Sequence, residues 1–395
     1  MNEELLLIGI DGGATKVSAW EVRISDDRKL FTLGEMNAGK SYREIPGYLP
    51  EYKPVDLPTQ LREREAQTFN INPDEQQQGT VYVEACASVI EQLVKLSGAR
   101  QVLVGLGMPG LKTSDRRGIE ALANGPRIIH YCNMLEDRLN LTGIKLISPV
   151  HHIGSDADYC GIGENYSADG MFRDVATAYY LGGGTGVADA LKLNNTLTPF
   201  DLTRDWLAKC WEMKSADGRS LERFASAGGI QSIYAEHSGR DVSELNERQI
   251  FPVQIAEMAA TGDAAAIKTF AMVVENLSKL LLERITTLYS GWQNIFGFVN
   301  PNRNLPVPEH AHKGMLLERI IIGQRLGQLY DSPAGEKVLK LPVLEALSGM
   351  LKISEVLDHQ AKTHYSCIGE LIVTSRLREA PAIGAGIDAW LTYHQ

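Results

Sequence analysis

The chain has few cysteines, and they form no pattern. Cys86, Cys132, Cys160, Cys210 and Cys367 are odd in number, far apart and without a C-x-x-C pair. Neither a disulfide framework nor a zinc cluster is expected, and a reducing compartment fits. No apolar stretch approaches the ~20 residues of a membrane span. The short run Leu5 to Ile10 follows Met-Asn-Glu-Glu, without the basic region or the apolar core of a signal peptide. A cytoplasmic protein is the expectation. Positive charge is also scarce: 39 Lys and Arg against 49 Asp and Glu leave −10, which offers no general attraction for nucleic acid or anionic lipid. What remains is an ordinary globular composition, 44% hydrophobic and 22% charged over 395 residues, enough for two domains with their own cores.

Leu5-Leu6-Leu7-Ile8-Gly9-Ile10 reads as a buried strand that runs into the glycine turn Asp11-Gly12-Gly13. Alternation over residues 17–22 and a further run at 30–33 suggest a hairpin meander. Residues 34–79 change character: Pro46, Pro50, Pro54, Pro58 and Pro73 punctuate a polar segment ending in Gln76-Gln77-Gln78, too long for an ordinary connection and read as an insertion or mobile flap. Val83, Ala87, Ile90 and Val94 keep helical spacing, and 101–106 reads as a strand. From about residue 174 the order recurs, with strands at 175–181 and 187–193 around Gly182-Gly183-Gly184-Thr185-Gly186. The longest helix is expected within 263–290, another strand at 319–322 before Gly323, and a closing helix over 380–389. Two related α/β lobes around a cleft are the implied architecture.

Two motifs mislead. Gly34 to Ser41 satisfies G-x-x-x-x-G-K-[ST], but a P-loop must open a helix, and Pro46, Gly47 and Pro50 follow too soon. Gly105 to Gly110 satisfies G-x-G-x-x-G, yet Pro109 and the polar stretch 112–117 spoil the helix start. The turn Asp11-Gly12-Gly13-Ala14-Thr15-Lys16 is more informative. Its glycines let backbone N–H groups approach phosphate, Asp11 can hold hydrated Mg²⁺, and Thr15 can donate a hydroxyl. Gly182 to Gly186 offers a second such turn, and either one alone also fits a plain hairpin.

Together these turns resemble the actin-like ATPase superfamily and, within it, the ROK sugar kinases. The resemblance spans most of the chain. Ile8 to Lys16 is similar to the family's first phosphate motif, and Val104 to Gly110 to its apolar-glycine-Pro-Gly loop. Ser155-Asp156-Ala157, running on to Gly163-Glu164, is similar to its Asn-Asp-Ala segment, and Leu181 to Val187 to its second phosphate motif. Leu221-Glu222 with Ala225-Ser226, Gly262-Asp263 before Ala265-Ala266, and Ile320 to Gly323 follow in the family's order.

The resemblance implies a mixed α/β fold of two actin-like, ribonuclease H-like lobes. One would cover 1–150, carrying the 34–79 insertion and completed by a C-terminal helix at 378–395; the other would cover 151–377. It implies ATP and Mg²⁺ as cofactors and a hexose or amino sugar as substrate. Asp156 would be the base that takes the proton of the sugar hydroxyl. Gly12, Gly13, Thr15, Lys16, Gly184, Thr185 and Gly186 would hold phosphates, Asp11 would position Mg²⁺ through water, and Gly323 would border the adenosine. Pro109, Gly110, Ser155 and Glu222 would touch the sugar. A homodimer is common in the family. Read without it, Ser155-x-x-Asp158 is a helix cap that gives local stability only.

The departures are specific. Residues 198–220 contain Cys210 and no histidine, so the family's Glu-x-Gly-His segment and zinc loop are missing. Ser155 stands where the family has Asn, and Ala188-Asp189-Ala190 replaces its later glycines. His151, His152, His310 and His312 are expected to be surface or core residues rather than metal ligands, since adjacent side chains on a strand point to opposite faces. Leu5 to Lys16 starts the phosphate strand at once, so no N-terminal helix-turn-helix is expected. The alternatives are a non-catalytic sugar or nucleotide sensor of the same fold, and an actin-like ATPase that drives a partner.

Overall fold

The computed structural model describes residues 5–395 as two compact units, one made of residues up to Asp169 together with Glu379–Gln395, the other of Gly170–Arg378. In the first unit, β1 (Leu5–Gly12) pairs antiparallel with β2 (Lys16–Ile24), which pairs with β3 (Phe31–Ser41). On its other side β1 runs parallel to β4 (Gln101–Gly107), and β4 runs parallel to β5 (Lys145–Leu146). The order is β3-β2-β1-β4-β5.

The second unit repeats this order. Its sheet contains β6 (Ala178–Gly183), β7 (Val187–Leu193), β8 (Thr196–Thr198), β9 (Arg319–Gly323) and β10 (Ile372–Thr374), arranged β8-β7-β6-β9-β10. It has the same antiparallel meander and the same parallel pairs. Each unit therefore has a hairpin that ends in a glycine turn at the same place in its sheet. The recurrence legible in the sequence is a recurrence of topology.

Helices cover both sheets. α1 (Pro73–Ser97) starts with Asn72 accepting from the Glu75 amide at 2.8 Å and stops at Gly98, whose φ of 67° lets its amide reach Val94 O at 2.9 Å. α2 (Asp156–Tyr166) and the C-terminal helix Ala380–Tyr393 pack on each other, and the C-terminal helix lies on β1 and β4. The approach is backbone to backbone. A Cβ on Gly9 would lie 1.8 Å from Ala382 O, and one on Gly105 1.8 Å from Ala385 O. α3 (Ala264–Ser290) is capped by Asp263, whose side chain accepts from the Ala266 amide at 2.8 Å.

Two expectations need correction. The boundary between the units falls at Asp169/Gly170, not at 150, because α2 packs on the C-terminal helix and so stays with the first unit. Residues 34–79 are not a flap. Residues 34–41 complete β3, Leu57–Glu65 is a helix, and the glutamine run lies in the first turns of α1. Buried polar bonds hold this segment. Gln60 is 0% exposed; its amide donates to Leu122 O at 3.2 Å and its carbonyl oxygen accepts from the Leu122 amide at 2.7 Å. Arg127 pairs with Glu75 at 2.8 Å and with Glu63. Polar residues that bond one another inside leave no hydrophobic period to read.

Candidate functional site

The predicted residues divide between the two units, and each unit presents a glycine turn on its own hairpin. In the first unit, Asp11 and Gly12 end β1, and the Gly13 amide donates to Lys16 O at 2.9 Å to close the turn. Gly12 packs against the loop that follows β4, and a Cβ there would sit 1.9 Å from Met108 Sδ and displace that side chain. Thr15 and Lys16 are exposed at the tip. Two tyrosines that sequence reasoning missed brace the turn from behind. Tyr42 OH donates to Gly13 O at 3.0 Å, Tyr82 OH donates to Ala14 O at 2.9 Å, and their rings stack at 3.7 Å. These contacts cross 29 and 68 positions of sequence, so no local spacing announces them.

Beside this turn lies the start of α2. The short strand Ile153–Gly154 pairs with the end of β4, which places Ser155 and Asp156 at the strand ends. Ser155 is the N-cap. Its hydroxyl accepts from the Asp158 amide at 3.2 Å and donates to Asp158 Oδ2 at 2.8 Å. The cap expected on spacing therefore exists, and its residues are Ser155 and Asp158. Asp156, the first helical residue, takes no part in it. Its Oδ1 is buried and has no hydrogen-bond partner among the described residues.

Burial pushes the Asp156 pKa up to about 6, against the nearby Lys112 charge. Burial, Asp156 and Glu379 together push Asp11 up to about 7, with Lys16 acting against them. The two carboxylates are thus electrostatic neighbours. Lys112 is lowered to about 8 by burial, and its Nζ donates to Met108 O at 2.6 Å and Gly110 O at 2.7 Å. That brace shapes the loop that carries Pro109 and Gly110, whose φ is +91°. His152 is tied to the C-terminal helix by a 2.6 Å contact with Asp388, which also accepts from Tyr159 OH at 3.3 Å.

In the second unit the turn between β6 and β7 is closed by the Gly184 amide donating to Gly186 O at 2.9 Å. Thr185 is exposed at its tip. The Gly228 amide reaches Gly184 O at 3.3 Å, so the start of the helix Ala227–Ser238 abuts the turn. Glu222 Oε2 accepts from the Val187 amide at 3.0 Å. One oxygen of the predicted sugar ligand is thus committed to the second glycine turn. Gly323 caps the helix Gln324–Asp331, and a Cβ there would lie 2.3 Å from Tyr180 OH.

The replaced glycines after Gly186 do not open the turn. Ala188 and Ala190 pair with Gly182 and Tyr180, while Asp189 points into the core. It accepts from Tyr179 OH at 2.5 Å and the Cys210 amide at 2.8 Å, and it lies 3.4 Å from Arg284. The segment that lacks the family's zinc loop is held in this way, by a buried carboxylate and a guanidinium. The flagged histidines are all engaged within the protein. His151 bonds Ser148 Oγ at 2.9 Å, and His310 bonds Thr287 O at 3.0 Å and stacks on Trp206, which also lies against His312.

No sequence-family profile matches this chain, and no curated protein matches it by sequence. Solved structures do. A ROK family glucokinase from Streptomyces griseus, in complex with glucose and AMPPNP, superposes with a TM-score of 0.58 at 15% identity, covering 98% of this chain and 99% of that one. The chain has the fold of the ROK sugar kinases. A ROK hexokinase from Thermus thermophilus gives a TM-score of 0.55 at 16% identity, covering 98% of this chain and 99% of that one. A ROK family transcriptional regulator, a homologue of the E. coli MLC protein, gives 0.54 at 11% identity, covering 98% of this chain and 79% of the regulator. The ROK fold thus accounts for nearly the whole chain. Among the described residues no helix is long and apolar enough to cross a membrane.

Proposed function

We propose that the protein transfers the γ-phosphoryl group of ATP to a hydroxyl of a hexose or amino sugar. The observation that carries this reading is Asp156, a carboxylate at the end of the β4 layer whose Oδ1 is buried without a hydrogen-bond partner among the described residues. A carboxylate whose pKa is raised to about 6 is an effective acceptor of a hydroxyl proton near neutral pH. Asp156 takes that proton as the sugar oxygen attacks phosphorus in line, and the nucleotide leaves as ADP. The backbone amides and Thr15 of the first turn, with Lys16, bind phosphate oxygens. Gly184, Thr185 and Gly186 do the same on the second turn, and Gly323 borders the adenosine.

The first turn fits a divalent cation. Asp11 is half-buried, and burial with two acidic neighbours holds its pKa near 7, so a positive charge is what the group lacks. Asp11 would hold hydrated Mg²⁺, which would supply positive charge against the phosphates. Pro109 and Gly110, fixed by Lys112, would border the acceptor sugar.

One specific finding favours the rival, a sugar or nucleotide sensor without turnover. Ser155 and Glu222, both expected to touch sugar, are bonded to Asp158 and to the Val187 amide. ADP release from Mg-ATP across hexoses, N-acyl hexosamines and a sugar-free blank separates the readings. Release that depends on sugar supports the kinase. Sugar or nucleotide binding with no release in any well supports the sensor, and release independent of sugar supports an ATPase.

A further inference from the structure

The turns that follow β6 and β9 leave the second sheet side by side, because the parallel register sets Gly323 against Gly182. The helix Gln324–Asp331 begins directly after Gly323 and packs on the glycine turn after β6. A Cβ on Gly183 would lie 2.6 Å from Leu326 Cβ, and one on Gly184 would lie 2.7 Å from Gln324 Oε1. Leu326 is fully buried, so the start of the helix has little room to shift. The Gln324 carboxamide is thereby set against the second glycine turn.

The backbone is strained at the same residue. Gln324 has a φ of +56°, a left-handed conformation that glycine adopts freely and a residue with a Cβ adopts only at a cost. Among the described residues, the other non-glycine residues with positive φ are all exposed, whereas Gln324 is half-buried. Glycine at this position would relieve the strain but would take the carboxamide away from the turn. Strain kept where it holds one side chain beside a ligand-binding turn points to a use for that side chain.

We propose that Gln324 binds the α-phosphate of the nucleotide, its carboxamide N–H groups donating to a phosphate oxygen. This rests on the reading above, in which the second glycine turn holds phosphates and Gly323 borders the adenosine. A side chain that starts next to Gly323 and ends against Gly184 spans the junction of those two parts. The α-phosphate is the group at that junction. A carboxamide carries two N–H donors, and a hydrogen bond from it to an anionic oxygen is stronger than one between neutral groups.

The test is titration calorimetry of the full chain with Mg-AMPPNP, with displacement titrations by AMP and by adenosine, on the native protein, Gln324→Ala and Gln324→Gly. Both variants should bind Mg-AMPPNP and AMP about tenfold more weakly, the loss of one hydrogen bond to a charged group. Adenosine, which has no phosphate, should bind all three proteins equally. The urea midpoint of Gln324→Gly should be no lower than that of the native protein, because glycine removes the strain. Native affinity for Mg-AMPPNP in both variants overturns the proposal. So does an equal loss for adenosine, which would assign Gln324 to the ribose or base, and so does a lowered midpoint in Gln324→Gly, which would assign the carboxamide to the fold. A native protein that binds no Mg-AMPPNP would overturn the nucleotide reading itself, and this inference with it.

Discussion

Asp156→Asn should make the protein more stable while it removes the proposed chemistry. The side chain carries a buried oxygen with no partner, and its pKa is raised from 3.8 to about 6. At about 1.36 kcal/mol per pKa unit, ionising it in the folded state costs about 3 kcal/mol. Its neighbour Asp11 shares the strain, and the N-terminus of α2 favours a negative charge by about 0.3–1 kcal/mol. A net gain of about 1–3 kcal/mol for the amide is expected at pH 8. The sign follows from linkage: a carboxyl whose folded pKa is raised destabilises the fold increasingly as pH rises from the unfolded value through the folded one. The advantage of the variant should therefore shrink by about half at pH 5 and to about a fifth at pH 4. The assay is urea denaturation of both proteins at these three pH values with EDTA present. An amide variant that is less stable at pH 8 would show that Asp156 is a structural partner of its helix and would refute the reasoning.

Three further outcomes follow from the same contacts. Gly9→Ala places a methyl 1.8 Å from Ala382 O and should cost at least about 1–3 kcal/mol; an unchanged urea midpoint would contradict the close docking of the C-terminal helix. Tyr42→Phe and Tyr82→Phe each release one carbonyl of the first glycine turn, a loss of about 0.5–1.5 kcal/mol. The KM for ATP should rise severalfold while the KM for sugar stays put, and a rise confined to the sugar would contradict the bracing role. Arg127→Met leaves Glu75, 0% exposed, without its partner. It should cost about 3–5 kcal/mol by chemical denaturation, and a loss under about 1 kcal/mol would mean that residues 57–75 are not anchored as described.

The parts of the fold that were legible are those with a local signature. A continuous apolar run marks β1, glycine clusters mark both hairpin turns, and 3.6-residue spacing with Asp263 in front marks α3. The repeated topology could be inferred because each of these signals occurs twice in the same order. Residues 34–79 were misread because Gln60, Glu75 and Gln78 are buried polar groups, and burial by hydrogen bonding leaves the same composition as a solvated loop. The expectations at Asp11, Asp156 and the two glycine turns rest on motifs in the sequence. Tyr42, Tyr82 and Asp388 act from distant sequence positions, and nothing local marks them. Ser155 and Glu222, expected to touch sugar, are bonded to Asp158 and to the Val187 amide, which only the geometry could show.

The central claim is that Asp156 accepts a proton from a sugar hydroxyl during phosphoryl transfer. The most direct measurement is the rate of sugar-dependent ADP release from Mg-ATP for the native protein and for Asp156→Asn, with nucleotide affinity determined for both. Sugar-dependent release is expected in the native protein, with a loss of about 10²–10⁴-fold in the variant and near-equal ATP affinity. Release that the substitution leaves intact would contradict it.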